Sequence, residues 1–227
     1  MYNIDAMKTI ILILSIACSF CQLNAQDDFQ SNYISDGIYL TLQDFIDGEP
    51  SNTKKVEARD ISKPKKRKAP TGADVCFFNY RRTKKRVKDA YAIVQNGDIY
   101  IQIDGMKKHM QKKDRKKMAE DKHAFLRALN VGEFLYFEAF TQKGGGGFGL
   151  SLGGGPISVG TGGGRGREEL KAVVFDYEST SFDLIRDCKD FRKFLEVHQP
   201  DNQFDCPKKS IPLEIVRKTI VEMNTNG

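Results

Sequence analysis

Two runs rich in β-branched and aromatic side chains, residues 91–95 and 98–103, flank Asn96-Gly97. That dipeptide suits a two-residue type I′ turn, whose central positions both need positive φ, so the segment predicts a β-hairpin. Three other stretches read as strands: residues 37–40; residues 74–80 with Val75, Cys76, Phe77, Phe78 and Tyr80; and residues 133–141, entered through Gly132. Residues 170–177 and 181–185 predict a second hairpin around 178–180. Helical spacing takes over elsewhere. Thr41 and Asp44 resemble a capping box opening a brief helix through Phe45 that stops at Gly48 and Pro50. Residues 187–198 form an amphipathic helix using Phe191, Phe194, Leu195 and Val197, ended by Pro200. Ser210 and Pro212 start a last helix whose Leu213, Val216, Ile220 and Met223 share one face. Hairpins followed by helices, without regular strand–helix–strand units, predict an α+β fold with an antiparallel sheet and C-terminal helices.

The first 25 residues depart from this pattern. An apolar run at 10–17 follows Lys8, is too short to span a bilayer, and leads through Leu23-Asn24 to a small residue at Ala25. Residues 1–25 therefore read as a cleavable secretory signal peptide, and residues 26–227 as a single exported domain. A lipoprotein modified at Cys18 fits less well, because Ser15 stands where the lipid-attachment pattern wants Leu. No later apolar run reaches spanning length, so no transmembrane segment is expected in the mature chain.

Export implies oxidising conditions, and Cys76, Cys188 and Cys206 remain after cleavage. Cys188 and Cys206 flank a loop containing Pro200 and are expected to pair, tying the two C-terminal helices together. Cys76 reads as a buried thiol beside Phe77 and Phe78.

Charge is distributed in blocks. The whole chain carries a formal +6, yet residues 26–53 hold six acidic and no basic side chains, and residues 54–122 hold 22 basic and nine acidic. Three clusters make up the excess: 54–68, 81–88 and 107–122. Self-repelling charge with few apolar residues disfavours burial, so 54–68 is expected as a mobile loop. The stretch 107–122, with Met106, Met110 and Met118 among lysines, is expected to continue as a helix into 124–129 through Phe125, Leu126 and Leu129. Lys-rich insertions at about 54–68 and 106–122 thus interrupt the domain.

Clustered cations attract phosphate or sulfate groups by counterion release. Candidate polyanion contacts are Lys65, Lys66, Arg67 and Lys68 in the first cluster; Arg81, Arg82, Lys84, Lys85 and Arg86 in the second; and Lys112, Lys113, Arg115, Lys116 and Lys117 in the third. The partners this suggests are acidic polysaccharide, lipid A phosphate, nucleic acid or an anionic membrane surface. Solvated insertion is the bland alternative.

The remaining chemistry is sparse. In the glycine-rich segment 144–166, Phe148, Leu150 and Leu152 alternate as in a ribbon or flap; its match to G-x-G-x-x-G is trivial, since neither the following helix nor a distant acidic partner is evident. His109, His123 and His198 make no metal-ligand spacing. Neither a phosphate-binding Gly-Lys-Ser/Thr loop nor a G-x-S-x-G elbow is present. The pairs Asp187/Asp190 and Asp176/Glu178 read as solvated faces rather than acid and base. No catalytic, cofactor or metal residue is assigned.

Gly37-Ile38-Tyr39 before Asp44-Phe45, the Asn96-Gly97 hairpin ending in Ile99-Tyr100-Ile101, Gly132-Glu133-Phe134 with Tyr136-Phe137, and Phe175-Asp176-Tyr177-Glu178 together resemble an uncharacterised family of exported Bacteroidota proteins. The resemblance implies a periplasmic or outer-membrane-surface location and carries no activity. It would place a glycine in the turn at Ser179-Thr180-Ser181. The function expected is a non-enzymatic interaction or structural module of the envelope, with an envelope protein as partner. Polyanion binding through 54–122 is the alternative, and an enzyme of unrecognised type the second.

Overall fold

The computed structural model describes residues 34–60, 75–118, 121–142, 168–202, 204–206 and 209–226. The leader, Lys65, Lys66, Arg67 and Lys68, and the glycine-rich segment 144–166 lie outside the described residues.

Six strands form one antiparallel sheet: β1 (Gly37–Tyr39), β2 (Val56–Asp60), β3 (Val75–Tyr80), β4 (Ala92–Gln95), β5 (Asp98–Gln102) and β6 (Phe125–Arg127), ordered β1-β4-β5-β6-β3-β2. A second antiparallel sheet runs β7-β8-β9, with β7 Phe134–Gln142, β8 Glu168–Asp176 and β9 Ser181–Ile185. The helices are α1 (Leu42–Ile46), α2 (Ile103–Lys108), α3 (Lys112–Arg115), α4 (Cys188–His198) and α5 (Leu213–Asn226). The fold is α+β with antiparallel sheets.

Strand parity explains the layers. Successive side chains of a strand point to opposite faces. Leu135, Phe137 and Ala139 of β7 join Val173 and Phe175 of β8 in a core shared with Ala92, Val94, Ile99 and Ile101 of the larger sheet. The opposite parity, Phe134, Tyr136, Ala172 and Val174, packs on Phe191, Phe194 and Leu195 of α4 and on Val216, Ile220 and Met223 of α5. Covered on both faces, β7 is buried along almost its whole length, which is why it reads as a continuous apolar run. Phe191, wholly buried, contributes about 2–3 kcal/mol by leaving water. A third cluster, with Ile38, Val56, Phe78, Val87 and Phe125, covers the outer face of the larger sheet.

Local signals act as expected at most boundaries. Thr41 accepts from Asp44 N–H and Asp44 answers to the Thr41 backbone, a capping box that starts α1. Asn96 and Gly97 take φ of 55° and 80°, and the Asp36 carboxylate accepts from both of their N–H groups. Asn224 of α5 holds the entry to β7 by accepting from Phe134 N–H and donating to its carbonyl, and any side chain at Gly132 would collide with it.

Several expectations are corrected. Residues 124–129 do not extend a basic helix: Phe125–Arg127 is β6, inserted between β5 and β3, and residues 103–115 hold two separate short helices. Phe125 and Leu126 are both fully buried on opposite faces, a pattern that three residues cannot distinguish from a helical stripe. The first basic cluster is not loop throughout, because residues 56–60 pair with β3 in register and form the edge strand. Val197 is 73% exposed, so α4 buries only Cys188, Phe191, Phe194 and Leu195. The Cys188–Cys206 disulfide is present, but it ties the first residue of α4 to the connecting segment ahead of α5 rather than helix to helix. Cys76 is buried in β3.

Candidate anion-binding surfaces

The pairing of β2 with β3 brings the described part of the first basic cluster against the second. Val56 lies opposite Tyr80, and Arg81 N–H donates to the Lys55 carbonyl at 3.0 Å. Beyond β3 the chain turns back at once: Lys84 N–H donates to Tyr80 O (2.8 Å), and Tyr80 N–H to Lys85 O (2.9 Å). Lys84 takes a left-handed φ of 55° to close this turn. Arg81, Arg82, Lys84, Lys85 and Arg86 are all exposed there, beside exposed Lys54 and Lys55.

Aromatic rings underlie part of this surface. The Arg86 guanidinium stacks 3.8 Å from the centroid of Phe77, and the Lys54 ammonium stands 6.0 Å from that of Tyr80. Glu57 is the described carboxylate that meets these cations, 3.1 Å from Lys84 and 3.7 Å from Arg59. The hydrogen bond from Lys84, with the charges of Lys84, Arg59 and Arg81, holds its carboxyl below the usual range. Positive charge remains in clear excess.

The third cluster belongs to a different part of the molecule. Met110 bridges to Phe182 of β9 and Met118 to Thr141 of β7, so α3 is fixed to the smaller sheet. Lys112, Lys113, Arg115 and Lys116 are exposed, while Lys117 is half-buried. Arg115 has a structural task, donating to the Met110 and Lys108 carbonyls at 2.8 and 3.1 Å behind α2.

Lys117 opens onto a cleft of about 450 Å³ at the end of the smaller sheet. Lys171 of β8, Arg186 after β9 and Lys209 ahead of α5 share its wall, together with the carboxylates of Glu169 and Asp187. None of Lys171, Arg186 and Lys209 stood out in the sequence, because each lies in a stretch of mixed charge. The β8–β9 register, with Ala172 opposite Ile185, sets Lys171 and Arg186 at neighbouring positions, and the disulfide brings in the segment of Lys209.

Behind the cleft lies a network of buried charge. Arg186 donates to both oxygens of Asp190 and lies 3.3 Å from Asp114, which is almost fully buried. Burial raises the Asp114 carboxyl, against the opposing charge of Arg186. Asp183 is raised as well, first by burial and then by the neighbouring carboxylates of Asp114 and Asp176. For Asp190 burial acts upward, but the hydrogen bonds and charge of Arg186 outweigh it and the carboxyl is lowered.

Of the two carboxylate pairs, Asp187, Asp190 and Asp176 are structural, while Glu178 is exposed as a solvated face would be. Asp187 caps α4 by accepting from Asp190 N–H, and buried Asp176 accepts from Glu178 and Ser179 N–H to close the β8–β9 turn. His198 packs on the rings of Phe134 and Phe194, and His109 on Tyr91. Burial, then the charges of Lys108 and Arg115, lowers the pKa of His109.

Among the described residues, no three His, Cys, Asp or Glu side chains gather as a metal site, and no helix is long and apolar enough to cross a membrane. No protein-family model, curated protein or solved structure matches the chain.

Proposed function

We propose that this chain is an exported, non-enzymatic binding module of the cell envelope whose partner is an acidic polysaccharide. One observation carries the reading: the β2–β3 pairing gathers Lys54, Lys55, Arg81, Arg82, Lys85 and Arg86 at one exposed end of an edge hairpin, two of them over aromatic rings. Polyanions bind such surfaces by releasing condensed counterions, and a guanidinium already ordered over a ring loses less freedom on binding. The leader-like residues 1–25 and the Cys188–Cys206 disulfide support a location outside the cytoplasm, in the periplasm or at the outer-membrane surface.

The test is heparin binding across a salt series, with DNA and anionic vesicles run in parallel. Affinity is expected to fall steeply with salt. Replacing Arg81, Arg82 and Lys85 with Gln is expected to lower the slope of log affinity against log salt by about 2, from roughly 0.7 per contact. Replacing Lys112, Lys113 and Lys116 is expected to change it less. Absence of binding near physiological salt, or a stronger effect from the second set, refutes this surface as the site; preference for DNA or vesicles moves the partner class.

A further inference from the structure

The cleft beside α4 involves different residues from the hairpin surface and calls for a different ligand. Four segments remote in sequence build it: the α3 side through Lys117, the β7–β8 ends through Gln142 and Lys171, the β9–α4 junction through Arg186, and the segment holding Lys209 and Ser210. The last is fixed twice, by the Cys188–Cys206 bridge and by Cys188 N–H donating to the Lys209 carbonyl at 3.0 Å. This wall is anchored, not a passing loop.

Its charges are unequally occupied. Lys171 is held by Glu169 at 2.9 Å, and Arg186 is engaged by Asp190 and Asp114. Among the described residues, the ammonium groups of Lys117 and Lys209 pair with no carboxylate. Two uncommitted point charges therefore border one cavity; the positive end of α4 beside it is already met by its cap Asp187 and by Asp190, so the charge for an anion comes from the lysines. Lysine is suited to phosphate as a point charge, whereas the fork of Arg186 that would grip a planar carboxylate is already taken.

The size and lining define the rest of the ligand. About 450 Å³ falls in the range of small-molecule sites, roughly 300–1,000 Å³, and exceeds what a bare oxyanion fills. Among the described residues, none that line it carries an aromatic ring to stack a base or a long aliphatic side chain to hold an acyl chain. Gln142 and Ser210 instead present an amide and a hydroxyl whose side chains have no hydrogen bond among the described residues. We propose that the cleft binds a sugar phosphate, with Lys117 and Lys209 on the phosphate and Gln142 and Ser210 on the sugar hydroxyls.

The experiment is titration of the purified, disulfide-intact protein with glucose 6-phosphate, inorganic phosphate and glucose, followed by calorimetry and by the amide resonances of residues 117, 142 and 210. Saturable binding of glucose 6-phosphate is expected, at least tenfold tighter than inorganic phosphate, with shifts confined to the cleft. The double substitution Lys117→Gln, Lys209→Gln is expected to weaken it at least tenfold, and Lys113→Gln to leave it within twofold. Reduction of the disulfide is expected to weaken it too, by freeing the Lys209 wall. Equal affinity for inorganic phosphate overturns the sugar part. No cleft shifts, or an unchanged double variant that retains its thermal midpoint, overturns the site. Heparin binding that survives in the double variant leaves the hairpin reading standing, so the two proposals fail separately.

Discussion

Arg217→Met tests how α5 is held to the smaller sheet. Glu138 of β7 is buried, its side chain 2% exposed, and it accepts from Tyr136 Oη at 2.9 Å and from Arg217 of α5. Arg217 is raised by its hydrogen bond to Glu138, and the neighbouring Tyr136 is pushed up by burial and then by the Glu138 charge. Removing one partner of a buried pair costs about 3–5 kcal/mol, because the other charge is left without compensation. Arg217 is 48% exposed, so water reaches the vacated position and the loss should be smaller, about 2–3 kcal/mol.

For a domain of this size each kcal/mol moves the midpoint by about 2–4 °C, so Arg217→Met should melt about 4–12 °C lower. The reciprocal change is informative because it is unequal. Glu138→Gln leaves a half-exposed guanidinium in contact with water and should cost only about 1 kcal/mol, and the double variant should recover most of the loss from Arg217→Met. Thermal and urea unfolding followed by near-ultraviolet circular dichroism, without reductant, gives all three values. A loss below about 0.5 kcal/mol for Arg217→Met, or a double variant as unstable as that single one, refutes a buried carboxylate that depends on α5.

Replacing Cys188 and Cys206 together with Ser should cost about 3 kcal/mol, from the loop closed across a separation of 18 residues, read as a urea midpoint lower than that of oxidised wild-type protein and matched by that of the reduced protein. Thr180 sits at φ 51°, where a β-branched residue is strained, so Thr180→Gly should be neutral or stabilise by up to about 1 kcal/mol in the same assay; a clear loss would contradict strain there. Asp183→Asn should stabilise at pH 7. A carboxyl raised in the folded state binds more protons there than when unfolded, so its contribution is most favourable in acid and is lost as pH rises from about 4 through its raised pKa. The advantage of Asn should therefore vanish below about pH 4, and an equal gain at every pH would refute the assignment.

The legible parts of this fold are those set by short-range chemistry. Asn96-Gly97, Thr41 with Asp44, and the helical spacing of Val216, Ile220 and Met223 each specify local geometry within a few residues. The Cys188–Cys206 pair was legible because three candidate cysteines leave few choices and Pro200 supplies the bend. Even the turn at Thr180 was marked, since a glycine was expected where the backbone now takes positive φ. What escaped depends on neighbours. Residues 56–60 offer only Val56 and Ala58 among charged side chains and become a strand because β3 offers an open edge. Residues 125–127 become one because both faces are covered. The cleft was invisible for the same reason: Lys171 reaches it by the pairing of Thr141 with Glu169, and Lys209 through the disulfide.

The positions of the hairpin cations separate two reasons for having them. Charge on an edge strand blocks pairing with another chain, and β2 is an edge, so Arg59 is explained by protection alone. That account does not extend to Arg81, Arg82 and Lys85, which lie in the turn after β3 and guard no open ladder. Nor does the core need them, for the apolar cluster on this face closes with Val56, Phe78, Val87 and Phe125 and none of the three. Exposed cations that make no ion pair among the described residues raise self-repulsion and return little stability. Their neutralisation should accordingly leave the melting midpoint within about 2 °C, from surface effects of about 0.5 kcal/mol, while polyanion affinity falls. A fall in stability matching the fall in affinity would make these side chains part of the fold, and the binding reading would lose its support.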